Sequence, residues 1–309
     1  HYQTDEALYA NFTKATGIRI NRLDGKEDEL VERLRNEGSA SPADVLITVD
    51  AARLAAADAL GLFQPVRSKL LEDRIPAALR TPTWFSFSTR ARVIVYNKRA
   101  VKPEAVQSYA DLAAPALKGQ VCVRSGSHPY NLSLFGAVNE HLGPEKTEAW
   151  LKGMVANLAR DPKGGDTDQI KAVASGECEI AVTNSYYLAR LMRSTKPEDV
   201  TVANKVGAVF PNQQSWGTHV NIAGGAVARY AKHPENAVRF LEYLATPEAQ
   251  NYFANGNNEW PAAKGIHTEN PALQAMTGGK PFKSENIPIS AVGAHLGAVQ
   301  QMLDRVGFK

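Results

Sequence analysis

The feature that most constrains this chain is the repeated succession of a short, continuously apolar run and a longer stretch with helical spacing. The run at Asp44-Val45-Leu46-Ile47-Thr48 is too short for a helix, and Asp50 then leads into the alanine-rich pattern Ala51 to Leu60, closed by Gly61. A buried strand followed at once by a capped helix is a βα unit. The same order recurs at Gly119 to Val123 before Pro129 to Leu142, and at Glu179 to Val182 before Ser185 to Met192. Such repetition argues for an α/β fold with mostly parallel sheets.

Further units fill the chain. Thr4 or Asp5 is expected to cap a helix carrying Leu8 and Phe12 and stopped by Gly17, with Ile18-Arg19-Ile20 as a strand and Glu27 to Asn36 as a second helix. Part of a helix is read at Ile170 to Ser175, another helix at Asn236 to Ala245, and Thr246-Pro247-Glu248 starts one more. A chain of 309 residues ordinarily divides between two cores. The strand Arg92 to Asn97 runs into Lys- and Pro-containing loop chemistry, which marks a crossover between domains. Strands at Val206 to Phe210 and His219 to Ile222 flank Pro211 to Gly217, read as the return crossover. The expected division is 1–95 plus 222–277 for the first lobe and 96–221 plus 278–309 for the second, with a hinge between them.

Composition removes several function classes. The net charge of +3 arises from 35 basic and 32 acidic residues mixed along the chain, so no nucleic-acid footprint is indicated. No apolar run approaches the roughly 18 to 20 residues of a spanning helix. His1-Tyr2-Gln3-Thr4-Asp5 runs directly into a helical pattern, as expected of a chain trimmed to a mature or an engineered start, the first of which implies removal of an export signal. The two cysteines, Cys122 and Cys178, lack Cys-x-x-Cys spacing, which argues against a thiolate metal site. They either pair in an oxidising compartment or stand apart as small buried hydrophobes. There is no Gly-x-Ser-x-Gly elbow or cysteine nucleophile, so a hydrolase lacks its central residue. Gly164-Gly165 and Gly224-Gly225 read as turns, since neither continues into a phosphate loop with its lysine. Six histidines (His128, His141, His219, His233, His267 and His295) show no pair at metal-ligand spacing and are expected to be surface or structural.

What remains is a placement of tyrosines. Ligands of open α/β sheets gather at the carboxyl ends of strands. Tyr130 lies where Ser125-Gly126-Ser127-His128-Pro129 enters a helix, Tyr186-Tyr187 follows the strand ending at Val182, and Tyr2 precedes the first helix. A phenolate is an anionic oxygen donor suited to a hard trivalent cation, and three or four of them neutralise Fe(III) without a carboxylate. Taken singly, such tyrosines more often pack a half-buried surface or stack on an organic ligand.

The stretches His1-Tyr2-Gln3-Thr4-Asp5, Tyr130-Asn131-Leu132-Ser133-Leu134, Asn184 to Arg190 and Thr246-Pro247-Glu248-Ala249-Gln250 resemble the periplasmic ferric-ion-binding proteins of bacterial ABC importers, over essentially the whole chain. The resemblance implies a two-lobed α/β type II periplasmic binding protein, with a hinge and an interlobe cleft that closes on one Fe(III). It implies a monomer that catalyses nothing, resides in the periplasm and delivers its ion to an ABC permease. Tyr186 and Tyr187 match the family's tyrosine pair, Tyr130 its third tyrosine, and Tyr2 the amino-terminal tyrosine of the branch that uses mainly phenolates. His1 aligns with an extra histidine ligand in part of that branch, and equally reads as a frayed first residue. Other members take a carboxylate from the segment around Asp50, which here also reads as a helix cap. Many relatives hold a carbonate beside the metal. The helix start near Pro129 suits such an anion, with Ser127 and Arg92 as candidates to assist, although a turn serine and a structural arginine are equal readings. A related fold that binds a polyamine, thiamine or a phosphate ester is the rival expectation.

Overall fold

The computed structural model describes residues 3–309, with side chains from Asp5 onward; His1 and Tyr2 lie outside the described residues. In chain order the strands are β1 (Val45–Val49), β2 (Trp84–Asn97), β3 (Val121–Cys122), β4 (Ile180–Asn184), β5 (Val206–Val209), β6 (Val220–Val227) and β7 (Trp260–Pro261). The helices are α1 (Gln3–Thr16), α2 (Glu27–Glu37), α3 (Ala51–Ala59), α4 (Lys69–Arg74), α5 (Pro129–Leu142), α6 (Pro144–Asn157) and α7 (Asp166–Ser175). They continue with α8 (Ser185–Arg193), α9 (Pro197–Lys205), α10 (Pro234–Leu244), α11 (Pro247–Asn257), α12 (Pro271–Thr277) and α13 (Leu296–Val306). No helix among the described residues is long and apolar enough to cross a membrane.

The chain forms two compact units. The first comprises 1–89, 222–270 and 288–290, the second 90–221, 271–287 and 291–309. The first crossing thus falls at 89/90, where the sequence suggested 95/96, and the last long segment changes unit at 270/271 rather than 277/278. The reason is visible in β2. It is a single strand of 14 residues that passes through the crossing buried from Trp84 to Val95, so no change of composition marks the boundary.

In the first unit, β1 pairs antiparallel with β6, β6 neighbours β2, and β7 pairs antiparallel with β2. Gly224 and Gly225 lie inside β6 and are not a turn. A Cβ at Gly224 would sit 2.6 Å from the Phe85 carbonyl oxygen, so the close approach of β2 requires glycine there. The core gathers Leu8 and Phe12 of α1, Phe85 and Phe87 of β2, and Phe240, Leu241 and Leu244 of α10. Phe12 meets Phe240 edge to face at 5.2 Å. Helix α1 begins at Gln3, so Thr4 and Asp5 fall in its first turn and do not cap it; Gly17 ends it at φ +73°. Ile18 to Ile20 is not a strand. The segment is unpaired, and Ile18 and Ile20 instead pack on this core. Asp50 caps α3 through its side chain, and Thr246 caps α11.

In the second unit, the carboxyl half of β2 pairs antiparallel with β4 and with β5, while β3 pairs parallel with β4. The expectation of mostly parallel sheets is therefore corrected. Only the β3–β4 ladder among those described is parallel. Strand β2 contributes to the pairing of both units and β6 joins β1 from a distant part of the sequence, and local βα succession carries no information about such partners. The core gathers Ile94, Val121, Leu134, Phe135, Trp150, Leu151, Ile180 and Val182 with Val299, Met302 and Leu303 of α13. Cys122 and Cys178 form a disulfide.

Candidate metal centre

Strand β4 is buried at all five positions and delivers the chain to Asn184, whose extended backbone stops the strand and begins α8. Tyr186 and Tyr187 therefore sit on the first turn of a helix at the carboxyl end of a strand. Tyr130 is the second residue of α5, whose first turn is opened by Pro129 and capped by His128, the ring Nδ1 accepting from Tyr130 N–H at 3.2 Å. Both phenol-bearing turns belong to the second unit.

The three phenols converge. The Tyr186 hydroxyl donates to the Tyr130 hydroxyl at 3.1 Å, and a hydrogen bond also links Tyr130 to Tyr187. The Tyr186 and Tyr187 rings lie 4.2 Å apart, inclined by 31°. Tyr186 is buried, and Tyr130 and Tyr187 are half-buried.

Arginines surround the cluster. Arg90 lies 4.6 Å from the Tyr186 ring centroid and directs a guanidinium N–H at its hydroxyl, 3.4 Å away. Arg190 stands 5.0 Å and 5.4 Å from the Tyr186 and Tyr187 rings, and Arg124 stands 5.2 Å from Tyr130. Burial pushes the Tyr186 and Tyr130 phenols above their ordinary value of 10.0; Arg90 opposes this, and the neighbouring phenols add to it.

A buried guanidinium fixes the backbones beneath. Arg92 donates to Asp166 at 2.6 Å, to Asn184 Oδ1 at 3.0 Å and to Asn131 Oδ1 at 2.6 Å. Asn131 follows Tyr130, and Asn184 stands two residues before Tyr186, so one side chain ties both turns. Asp166 also accepts from the Asn184 amide at 2.7 Å. Arg92 is 2% exposed and its two terminal nitrogens are spent on these partners, in keeping with its reading as a structural arginine. Ser127 is exposed, while its Oγ lies 3.0 Å from that of Ser125. Asp50 is buried in the first unit, adopts φ +81°, and spends one carboxylate oxygen on the Ala52 amide at 2.8 Å, in keeping with its reading as a cap.

The arginines Arg90, Arg124 and Arg190 escaped the sequence reading, although two of them had a signal. Arg90 and Arg92 are two apart and project from one face of β2, and Arg190 follows Tyr186 and Tyr187 by four and three positions on α8. Among the described residues no group of three His, Cys, Asp or Glu side chains is arranged to hold a metal ion. The oxygens that converge here are phenolic.

Comparisons with known proteins agree on the class of molecule. The family of bacterial extracellular solute-binding proteins matches residues 7–277. Iron uptake protein A1 of Synechocystis is 45% identical over 311 residues, covering 100% of this chain and 85% of that protein. The solved structure of the Trichodesmium protein IdiA or FutA, in complex with iron and citrate ligands, superposes with a TM-score of 0.97 at 49% identity, covering 100% of this chain and 97% of that one. The major ferric iron-binding protein of Neisseria meningitidis is 27% identical over 266 residues, 84% of this chain and 78% of that protein.

Proposed function

The chain belongs to the bacterial extracellular solute-binding protein family, and on that premise we propose that it captures Fe(III) through tyrosinate ligands and delivers the ion to an ABC permease. The observation that carries this reading is the meeting of Tyr130, Tyr186 and Tyr187 within one hydrogen-bonded cluster. Packing alone does not require three hydroxyls to face one another in a half-buried site ringed by cations. Three phenolates cancel the charge of Fe(III), whereas divalent metals are weaker competitors for protons held this firmly. Iron-binding relatives of high similarity support the same cargo.

In this reading Tyr130, Tyr186 and Tyr187 grip the ion from the second unit. Tyr2, with His1, completes the shell from the first. Closure follows because only the closed form satisfies the ion, and the permease distinguishes loaded from empty protein by shape. A companion anion, carbonate or the citrate seen with the Trichodesmium protein, fills what the phenols leave open. Ser127 at the start of α5 is its nearest candidate partner. The protein works as an exported, periplasmic monomer and turns nothing over. Release follows protonation of the phenolates or reduction to Fe(II), since both weaken the bonds.

The arginines also weigh against an organic cation such as a polyamine or thiamine, which would meet Arg90, Arg124 and Arg190 at the aromatic rings. Titration with ferric citrate decides the matter. A visible phenolate-to-iron absorption band should appear and saturate with one ion per chain by elemental analysis. A colourless, metal-free protein after titration would overturn the proposal.

A further inference from the structure

Strand β3 has two residues and meets β4 through two residue pairs, Val121 with Ile180 and Cys122 with Ala181. On its other side Val121 bridges to Leu158, and its carbonyl accepts from the Ala159 amide at 2.8 Å. So brief a parallel ladder at the end of a sheet specifies its register weakly. Strand β4, by contrast, is held along all five residues by β2. The segment that leaves β3 carries Tyr130, and the segment that leaves β4 carries Tyr186 and Tyr187.

The Cys122–Cys178 disulfide bolts these two segments together at the opposite end from the phenols, and both cysteines are fully buried. Each cysteine stands eight residues ahead of one member of the hydrogen-bonded pair, Cys122 before Tyr130 and Cys178 before Tyr186. The bridge spans a sequence separation of 56 residues. Non-covalent ties act further along, where Asn131 Nδ2 donates to the Arg124 and Ser125 carbonyls and Arg92 joins Asn131 to Asn184. The Asn131 bonds hold their own turn, and Arg92 links the two turns at the phenol end without a covalent bond. The register of β3 against β4 rests on two residue pairs, on the Gln120 carbonyl accepting from the Glu179 and Ile180 amides at 2.9 and 3.1 Å, and on the disulfide, the one covalent tie between the segments.

We infer that the Cys122–Cys178 disulfide is a positioning element of the binding site, setting the placement of Tyr130 against Tyr186 and Tyr187 that ferric coordination requires. The inference rests on the ferric reading of that phenol cluster. A bridge that merely stabilised the unit would raise its melting temperature and leave binding alone. A positioning bridge acts on the spacing of donor atoms, to which metal affinity is sensitive.

The experiment compares three forms. These are the oxidised protein, the double variant Cys122→Ala with Cys178→Ala, and the unsubstituted protein prepared with both thiols reduced and counted by thiol titration after denaturation. Ferric citrate titrations followed by absorbance are run well below each melting temperature, with amide hydrogen exchange on the iron-free forms. Both unlinked forms should bind iron roughly 10- to 100-fold more weakly, the scale of losing a group that orients a ligand. Their absorption band should shift, and amides from residue 121 to 130 should exchange faster than in the oxidised protein. Unchanged affinity, band and exchange, with only a lower melting temperature, would overturn the inference. If the variant does not fold, the reduced protein decides, since its side chains have the same volumes. If the oxidised protein shows no iron band, the ferric reading fails, and the exchange comparison still decides whether the bridge positions the segment.

Discussion

Tyr187 is the less buried of the tyrosine pair and lies against Tyr186 and Arg190, so its hydroxyl contributes little to folding, and in the proposed site it is an oxygen donor to the ion. Replacing it with phenylalanine removes one oxygen and nearly no volume. Tyr187→Phe should therefore keep its unfolding free energy within about 1 kcal/mol of the parent's. Its affinity for iron should fall by on the order of 100-fold or more, above the usual cost of losing an outer-sphere partner, and the visible band should shift. Calorimetry and ferric citrate titration read the two effects separately, and an unchanged spectrum would remove Tyr187 from the donor set. The phenols were legible in the sequence because their positions follow strand ends. The arginines around them were not, since Arg90 comes from the middle of a long strand whose neighbours are assigned only by the fold.

Among the elements, α5 is held at both ends by different chemistry. Its first turn carries Tyr130. Its last turn carries His141, whose Nε2 donates to the Glu285 carboxylate at 3.0 Å and whose ring stacks on Trp216 with centroids 4.3 Å apart. Glu285 also meets the buried His219, on the segment leading into β6. Burial alone would raise the Glu285 carboxyl; His219 and His141 outweigh it and hold the group below its ordinary 4.5. A carboxyl lowered by folding contributes stability that is complete above its unfolded value and is lost as pH falls through its folded value. Glu285→Gln should cost about 1–3 kcal/mol near neutrality, and the difference from the parent should vanish as acid passes below the carboxylate range. Urea unfolding across that range measures it, and a pH-independent difference would show that the carboxylate's charge is not what matters. This cluster also shows where sequence reading reached its limit. His141 and His219 were assigned to surface or structural roles, and the partner that joins them lies 144 and 66 residues away. Helices α3, α5 and α8 were readable because a cap or proline and a burial pattern coincide locally. The amino-terminal part of β2 was missed because it is buried on every residue from Trp84 to Val95 and offers no alternation.

The whole molecule has two separate cores, one around Phe12, Phe85 and Phe240 and one around Phe135, Trp150 and Leu303. Each is large enough to melt on its own, so iron-free protein should show two calorimetric transitions. An ion held only by Tyr130, Tyr186 and Tyr187 would raise the transition of the second unit alone, by about 4 kcal/mol at a thousandfold excess over its dissociation constant. If Tyr2 also binds, both transitions should rise together, and Tyr2→Phe should leave the first where it was. A first-unit transition indifferent to iron in the parent protein would confine the site to the second unit. The two-unit division itself was anticipated from length and from the changes of character along the chain. Its boundaries were displaced because strand continuity at the crossings erases the compositional breaks on which such a reading depends.

One contact near the crossings bears on how the strands there can adjust. The Arg92 amide donates to the His219 carbonyl at 2.9 Å, but the reciprocal peptide bond is absent. In its place the Tyr109 hydroxyl accepts from the His219 amide at 2.9 Å and donates to the Arg92 carbonyl at 2.7 Å. A direct amide-to-carbonyl link fixes one distance and one angle. Two links meeting at a rotatable oxygen behave as a swivel, so β2 can slip or twist against the His219 segment by a fraction of an ångström with every polar group still satisfied.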